Sequence, residues 1–399
     1  MHLTPANHNT SLYQTWRYKS LSFVKKVGLV FGLILLFCRA NAQPIIDSLP
    51  NPAHVQSSPQ LYFYQGLTYG SQSNFNPLTV LLNRGFEMLR ITQQSNRYDP
   101  LIPGYKVSNI LKNLGNPIVG VAQYGTIDFF REQVIPFGNI DKPYWYPNYT
   151  LHLVAGGITY TTLKEWFDAH GVEHSKRYAA AIIIASALLN ESVEEKTTDY
   201  RFRLNVDAVA DFWIFDIGGM LLFQSDKVNN FFSKTLNMRD WSRQPMVYFQ
   251  SMSMANCGQF TSLKWKLPYT KNLYFFGLVG LGGLGGLSYK FQNNTAISVG
   301  LGQGPRRKNV DLLGLPIDIN LVPMAGIYFD KNNSLLASLE LSNSKNDLYH
   351  NYFAELNIYP GFIPVKSIEP SLWLNVARDG NFMLGVGSKY TFGMGFGVY

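Results

Sequence analysis

Apolar and polar positions alternate through the last 18 residues of the chain, from Phe382 to Tyr399. The alternate set that begins at Phe382 and ends at Val398 is apolar at eight of its nine positions. The other set is mostly glycine, with Lys389 and Thr391 among it. A repeat of two predicts a β-strand. One apolar face opposite a small or polar face is typical of strands in a transmembrane barrel.

Similar alternating runs fill most of the chain from residue 246 onward, and turn sequences such as Asn293-Asn294 separate them. They are Met246–Ala255, Phe260–Leu267, Leu273–Phe291, Thr295–Gln303, Ile317–Phe329, Leu335–Ser342, Tyr352–Pro360 and Ser371–Arg378. With the last run this makes about nine, whereas bacterial barrels have an even number of strands. We therefore expect eight strands, or else ten, in a small antiparallel transmembrane β-barrel over residues 240–399. A soluble antiparallel barrel or sandwich is the alternative.

Residues 149–225 predict a module of three apolar helices, so that the fold class is α+β. The helices are expected at 149–169, at about Ser175 to Glu195 and at about Val206 to Phe223, with Gly171 ending the first. Their apolar runs are short for bilayer spans. We expect them to pack against the membrane, beside the barrel or inside it.

This module contains the residues that are candidates for acid–base or cation chemistry. On a helical wheel Glu165 and Asp168 share one face, Asp207 and Asp211 share another, and His152 lies away from the first pair. Only facing helices would bring such groups together. The catalytic candidates are His152, Glu165, Asp168, Glu191, Asp207 and Asp211. A polar network that only holds the helices in register is the interpretation we favour.

Three further patterns suggest chemistry only weakly. His170 and His174 have the i,i+4 spacing of a helical metal pair, although Gly171 is expected to interrupt that helix. His350 with Glu355 would suit a lipid hydrolase on a barrel wall, but G-x-S-x-G is absent. Gly280 to Gly285 spells G-x-G-x-x-G, and strand sequence rather than a helix follows it. We expect no cofactor and no firm metal site.

Two resemblances add to this interpretation. The segment with His152, "KEWFDAHG", "NESVEE" and "DAVADFWIFDIGG" resembles the YfiM-like envelope proteins over about 75 residues, although Tyr149 and Thr150 stand where that family usually has an aspartate. That resemblance implies an architecture and an envelope location, not an activity. The chain end, with Thr391, Gly393, Phe396 and Val398, resembles the assembly signal of outer-membrane β-barrel proteins.

The N-terminus predicts export, and this changes the meaning of the net charge. A basic stretch, the apolar run Val27 to Cys38 and Ala40-Asn41-Ala42 form a signal peptide over residues 1–42. Cleavage there removes five of 34 basic residues and no acidic one, leaving 29 against 26, or +3 instead of +8. The basic pI is thus no indication of nucleic-acid binding. The mature chain keeps one cysteine, Cys257, which excludes an internal disulfide.

The remaining segment, residues 43–148, is expected to be an irregular periplasmic segment. Within it, "DKPYWYPNY" at 141–149 would be an interfacial aromatic anchor or a rigid linker. Together these features predict a non-catalytic protein of the Gram-negative outer membrane with a structural or interaction role. Its partners would be outer-membrane lipid and other envelope proteins, not nucleic acid. The alternative is an envelope enzyme or transporter that uses the carboxylates of 149–225.

Overall fold

Helices form the first half of the protein and strands form the second half. The computed structural model describes residues 61–90, 104–140, 144–194, 206–249, 253–310, 316–343, 353–365, 368–378 and 380–398. Residues 61–399 belong to one compact unit. The predicted signal peptide and His350 lie outside the described residues.

The helical half contains eleven described α-helices, several of which continue directly into π-helical turns. The α-helices are α1 Gly70–Ser73, α2 Pro77–Gly85, α3 Gly104–Gly115, α4 Pro117–Tyr124, α5 Thr126–Phe129, α6 Trp145–Pro147, α7 Gly156–Ala169, α8 Ser175–Glu194, α9 Val206–Val209, α10 Ile217–Leu222 and α11 Asp226–Asn230. The π-helices are π1 Phe130–Val134, π2 Asn148–Ala155, π3 Ala210–Asp216 and π4 Phe231–Thr235. A 3₁₀ turn, Glu87–Arg90, follows α2.

The strands form one sheet in the order β1-β4-β5-β6-β7-β8-β9-β10-β11-β12-β13-β2-β3. Their bounds are β1 Arg239–Asp240, β2 Met246–Tyr248, β3 Ser253–Ala255, β4 Thr261–Lys266, β5 Leu273–Val279, β6 Gly283–Lys290, β7 Thr295–Val310, β8 Pro316–Lys331, β9 Ser334–Ser342, β10 Ala354–Ile358, β11 Pro370–Val376, β12 Phe382–Ser388 and β13 Gly395–Val398. Strands β4 to β13 are a continuous antiparallel meander, and β13 pairs with β2 in parallel. The fold is therefore α+β with a mixed sheet.

Several predicted boundaries need correction. The sheet has thirteen described strands, more than the eight to ten expected, because three of the nine predicted runs are hairpins and β1 lies before all of them. The run Leu273–Phe291 turns at Gly280–Gly282. The glycines of the G-x-G-x-x-G sequence from Gly280 to Gly285 therefore lie in a strand–turn–strand unit. The last run turns where Phe392 (φ 52°) and Gly393 (φ 77°) adopt the left-handed conformation. Residues expected to be irregular form helices α1 to α6 instead.

The sheet curls strongly, although the pairings among the described residues do not close it. β1 is first and β2 twelfth in the strand order, yet only residues 241–245 separate them in the chain. Eleven strand spacings would place them about 53 Å apart in a flat sheet. Six residue steps from Asp240 to Met246 span at most about 22 Å. The two ends of the sheet must therefore approach each other.

The segment that joins β1 to β2 crosses the concave side of the curled sheet. The Trp241 ring packs against Phe276 of β5 and Tyr328 of β8. Arg243 forms ion pairs with Glu340 of β9 and with Glu355 of β10, the second at 3.1 Å. These contacts reach the middle strands, so the segment lies against the concave face of the sheet.

The two faces of the sheet have opposite polarity. The rows of register-paired residues on the concave face contain Ser288, Ser298, Tyr328, Ser338 and Asn357, all buried. The next row, on the opposite face, is apolar across nine strands. It consists of Trp265, Phe275, Leu287, Val299, Ile327, Leu339, Leu356, Leu374 and Leu384. The predicted alternation is present, with the polar side chains inward.

The three helices predicted between 149 and 225 are present with nearly the expected limits, as π2–α7, α8 and α9–π3–α10. They are less apolar inside than expected. Their buried side chains include Thr159, Thr162, Ser186, Asn190 and Glu191. Among the described residues, no helix combines the length and apolar composition needed to cross a bilayer.

Candidate functional site

Two neighbouring π-helices bring a histidine between two aspartates. His152 lies in π2, and Asp211 and Asp216 lie in π3. The imidazole Nδ1 is 3.2 Å from Asp216 Oδ1, and Nε2 is 3.7 Å from Asp211 Oδ2. Both aspartates are buried, whereas the His152 side chain is 12% exposed. The imidazole is thus the member of this group that reaches toward solvent.

The π-helical geometry explains why both aspartates face His152. Asp211 and Asp216 are five residues apart, which on an α-helix separates two side chains by about 140°. A π-helix hydrogen-bonds i to i+5 and has about 4.4 residues per turn, so the same pair is only about 50° apart. The local widening of the helix therefore places the two carboxylates on one face.

Arg84 joins this group from α2. That helix starts with a reciprocal capping box between Asn76 and Thr79 and with Pro77 in its first turn. Arg84, near its end, forms an ion pair with Asp216 and donates to Gln259 Oε1 at 3.2 Å. The guanidinium needs the absence of a side chain at Gly156, where a Cβ would lie 2.9 Å from Nη1.

The electrostatic environment holds Asp216 ionised. Burial alone would raise its pKa, but the charges of Arg84 and His152 and the hydrogen bonds from them outweigh that effect and lower the pKa. Asp216 and Arg84 therefore form a charged pair inside the protein. A buried pair of this kind contributes little net stability, but losing one partner leaves an uncompensated charge.

The pKa of Asp211 is shifted in the opposite direction to that of Asp216. The Asp211 pKa is raised well above the ordinary value, first by burial and then by the negative charges of Asp207, Glu191 and Glu194. Within the described part of the chain, its Oδ1 has no hydrogen-bond partner. Asp211 is thus the carboxyl of this site that burial and its neighbours shift toward the neutral form, and it lies beside the His152 imidazole.

Glu87 is a second buried acid near Arg84. Its Oε2 accepts a hydrogen bond from the backbone N–H of Gln259 at 3.2 Å. Burial raises its pKa to about 7, although the Arg84 charge acts in the opposite direction. The side-chain amide of Gln259 donates through Nε2 to Ala155 O at 3.2 Å and to Thr159 Oγ1. The chain segment that leads into β4 therefore connects the helical site to the sheet.

The predicted pair Glu165 and Asp168 does not belong to this site. The Glu165 carboxylate accepts three backbone N–H groups, from Tyr62 at 2.6 Å, Phe63 at 2.9 Å and Tyr64 at 2.8 Å. It therefore anchors the start of the described chain. Asp168 forms an i,i+4 ion pair with Lys164 at 2.7 Å near the surface.

The six catalytic candidates thus separate into two groups. His152 and Asp211 meet directly, and Asp207 and Glu191 act on Asp211 through their charge. Glu165 and Asp168 have the local partners described above. The structure brings one histidine and several carboxylates together, and the described residues include no serine, threonine or cysteine that hydrogen-bonds to His152.

The weak metal candidates do not face each other. Helix α7 ends at Ala169, and Gly171 takes a left-handed φ of 68°, as expected for a helix stop. His170 stacks on Trp166, with 3.9 Å between ring centroids, and His174 lies exposed in the turn. Within the described ranges, no group of three or more His, Cys, Asp or Glu side chains is arranged to hold a metal ion.

The predicted partner of His350, Glu355, has another role. It is buried on the concave face of the sheet and pairs with Arg243. Glu340 pairs with the same arginine and accepts the Tyr328 hydroxyl at 3.0 Å. The arginine therefore neutralises two buried carboxylates on adjacent strands.

Sequence reasoning missed Arg84, Glu87, Asp216 and Gln259. The first two stand in the amphipathic stretch Leu78–Ile91, where a charged pair three residues apart was a usable signal. Asp216 lies in the quoted segment "DFWIFDIGG" together with Asp211. On an α-helical wheel of 100° per residue, however, the two side chains point in different directions. Nothing in the local sequence distinguishes Gln259.

Comparisons with known proteins add no relative. No protein-family model matches the chain, and neither the curated proteins nor the solved structures include a match. The function must therefore be argued from the geometry alone.

Proposed function

We propose that this chain is a β-barrel protein of the Gram-negative outer membrane with a non-catalytic, structural or interaction role. The observation that carries the proposal is the inverted polarity of the sheet. Its concave face buries serine, asparagine and charged side chains, whereas its outer face presents an unbroken apolar row. Such a distribution suits a lipid environment, where the outer face of a barrel is apolar and the interior polar.

The size of the exposed apolar surface supports the same conclusion. Ten large apolar side chains on the strands are at least 42% exposed: Trp265, Phe275, Leu287, Tyr289, Val299, Leu301, Leu321, Phe382, Val386 and Phe396. Fully burying one such side chain is worth about 1.5–3 kcal/mol, so lipid contact would recover on the order of 10 kcal/mol. That amount is comparable with the whole stability of an ordinary domain.

The filled interior supports a role other than conduction. Trp241, Arg243 and their partners occupy the space inside the curled sheet. Within the described chain, a cavity of about 30 Å³ lined by Lys264, Ser288 and Asp330 has room for one or two water molecules. A protein built in this way would serve as a membrane anchor for its helical layer.

The test is gel mobility of the protein from the outer-membrane fraction, with boiled and unboiled samples compared. A closed, detergent-resistant barrel should migrate differently before boiling. A matched control is Leu287→Asp, which places a charge in the apolar row and should abolish the folded band in membranes. Recovery of the native protein from the soluble periplasm, with no heat-dependent shift, would contradict the proposal.

The His152 site favours a second candidate function, proton-coupled catalysis or transport. Asp211 Oδ1 and Asp216 Oδ2 have no hydrogen-bond partner within the described chain, a costly arrangement in a purely structural network. Asp211→Asn separates the two functions because it keeps the shape and removes the proton-binding group. If the role is structural, this variant should fold and support every envelope phenotype of the wild type. Normal folding with a lost phenotype would favour the second candidate.

A further inference from the structure

An unusually apolar surface lies on the helices before the proposed site, in the stretch of residues 107–146. Ile118 is 83% exposed, and Ile127 and Ile140 are each 81% exposed. Four more large apolar residues in this stretch are at least half exposed: Leu111, Val119, Ile135 and Phe137. In the described α-helices and π-helices after residue 146, only Leu221 on α10 is a large apolar residue more than 60% exposed. Isolated exposed leucines are ordinary, but a concentration of this kind marks an interaction surface.

These helices have a separate face for the protein core. Ile110 and Leu114 of α3 pack against Ala187 and Ala208, and Phe129 packs against Phe215. Leu111, Ile118 and Ile127 therefore lie on the side of these helices that faces away from the core, and Ile135, Phe137 and Ile140 follow in the turn residues after π1. We call the set Leu111, Ile118, Ile127, Ile135, Phe137 and Ile140 the outer helix patch.

The patch contains few charges to oppose burial in lipid. From residue 107 to 140, the exposed charged side chains are Lys112 and the pair Asp128–Arg131, whose atoms are 2.7 Å apart. Glu132 is buried and accepts from the Tyr124 hydroxyl and from Asn139 at 3.2 Å. A lipid surface would therefore need to desolvate little charge to cover the isoleucines.

The patch continues toward the apolar face of the sheet through a group of aromatic rings. Phe137 packs on Trp145, with 4.6 Å between ring centroids, and Trp145 packs on Tyr146 at 6.0 Å. The Tyr146 hydroxyl lies 3.3 Å from where a Cβ on Gly283 would be. Gly283 is the first residue of β6, and Gly285, two residues later on the same face, is the register partner of Leu301 on β7. Leu301 is 70% exposed on the apolar face of the sheet.

We infer that the outer helix patch lies in the headgroup region of the same membrane that surrounds the sheet. The inference rests on the proposed outer-membrane function and extends it, because it assigns lipid contact to helices as well as strands. Tyrosine and tryptophan favour the boundary between headgroups and acyl chains. The rings of Phe137, Trp145 and Tyr146 would therefore lie at the boundary where the sheet leaves the bilayer and the outer helix patch enters its surface.

The experiment uses the mature chain from residue 43, with Cys257 replaced by serine and one introduced cysteine labelled with a fluorophore. The protein is reconstituted into phosphatidylethanolamine–phosphatidylglycerol vesicles that contain lipids with a quencher at a shallow or a deep acyl position. The patch label is at Ile127→Cys. The control labels are at Leu287→Cys on the sheet and at Lys176→Cys, an exposed polar position on α8.

We expect shallow-quencher lipids to reduce the Ile127→Cys signal about twofold or more, and to leave the Lys176→Cys signal unchanged. Deep-quencher lipids should reduce the Leu287→Cys signal. Quenching at Leu287 without quenching at Ile127 would overturn the inference and leave the proposed function standing. If neither label is quenched, the proposed function fails and the inference fails with it. A patch label shielded from both lipid quenchers and aqueous iodide would mean protein contact, which also overturns it.

Discussion

Replacing Arg84 with methionine tests the charged pair at the centre of the helical site. The substitution keeps much of the side-chain length and leaves Asp216 buried beside His152, without its main countercharge. Breaking a buried ion pair by removing one partner typically costs about 3–5 kcal/mol. Because a domain of ordinary stability has about 5–15 kcal/mol in total, the loss should be large and readily measured.

The pH dependence of the stability of this variant follows from Asp216, the buried carboxylate that Arg84 neutralises. In the native protein the pKa of Asp216 is lowered, so its contribution to stability is present above the unfolded-state pKa and is lost as pH falls through the folded value. Without Arg84, burial raises that pKa instead, and the folded state takes up a proton as pH falls. The deficit of Arg84→Met should therefore be greatest near pH 8 and should shrink toward pH 5.

The assay is guanidinium unfolding in detergent micelles, followed by tryptophan fluorescence, for Arg84→Met, Asp216→Asn and the double variant. The double variant should recover part of the loss, with a coupling free energy of about 2 kcal/mol or more. The matched control is Arg131→Met, whose exposed pair with Asp128 should contribute less than about 1 kcal/mol. Equal effects of the two arginine substitutions, or additive losses in the double variant, would refute the reasoning.

Three further predictions concern other buried groups. Because burial raises the pKa of Glu87 to about 7, the native protein should lose up to roughly 3 kcal/mol of stability as pH rises from about 4.5 to 7. Glu87→Gln should flatten this pH dependence, which is measured as unfolding midpoints. Glu165→Gln should cost about 1–3 kcal/mol and speed proteolysis before residue 65, since one carboxylate holds three backbone N–H groups; Asp168→Asn is its near-neutral control, and equal protease sensitivity would contradict the anchoring role. Gly286→Ala should cost about 1–3 kcal/mol because its Cβ would lie 1.9 Å from the Val299 carbonyl oxygen, whereas Gly285→Ala has open space; a thermal melt of both variants that moves equally would exclude this cause.

The sequence predicted the three helices between 149 and 225 and the approximate position of most strands, because both depend on local periodicity, but it missed helices α1 to α6. Helix limits at Ser175 and Val206 are confirmed by α8 and α9. The hairpins inside Leu273–Phe291 and Phe382–Tyr399 were missed, because apolar alternation continues through their turns. The left-handed Phe392 is the residue that reverses the last hairpin, and a phenylalanine gives no turn signal.

The candidate site was predictable only in part. His152 and Asp211 were both candidates, and the structure brings them within 3.7 Å. Their connection through Asp216 depends on two π-helical segments, which no wheel with a fixed α-helical period would produce. Arg84 reaches the site from α2, where it precedes Leu151, the backbone neighbour of His152, by 67 residues, and tertiary packing alone brings them together.

The distance along the chain between paired strands gives one consequence of the segment that spans the two ends of the sheet. β1 pairs with the nearby β4, whereas β2 pairs with β13, where Gly395 is the register partner of Met246, 149 residues earlier. Gln72 donates to Ser334, 262 residues later, and Asn76 donates to Phe392, 316 residues later. Contacts so distant in sequence slow folding. We therefore expect the hairpins of the meander to form first, and the contacts of Gln72 and Asn76 and the pairing of β2 with β13 to form late and together.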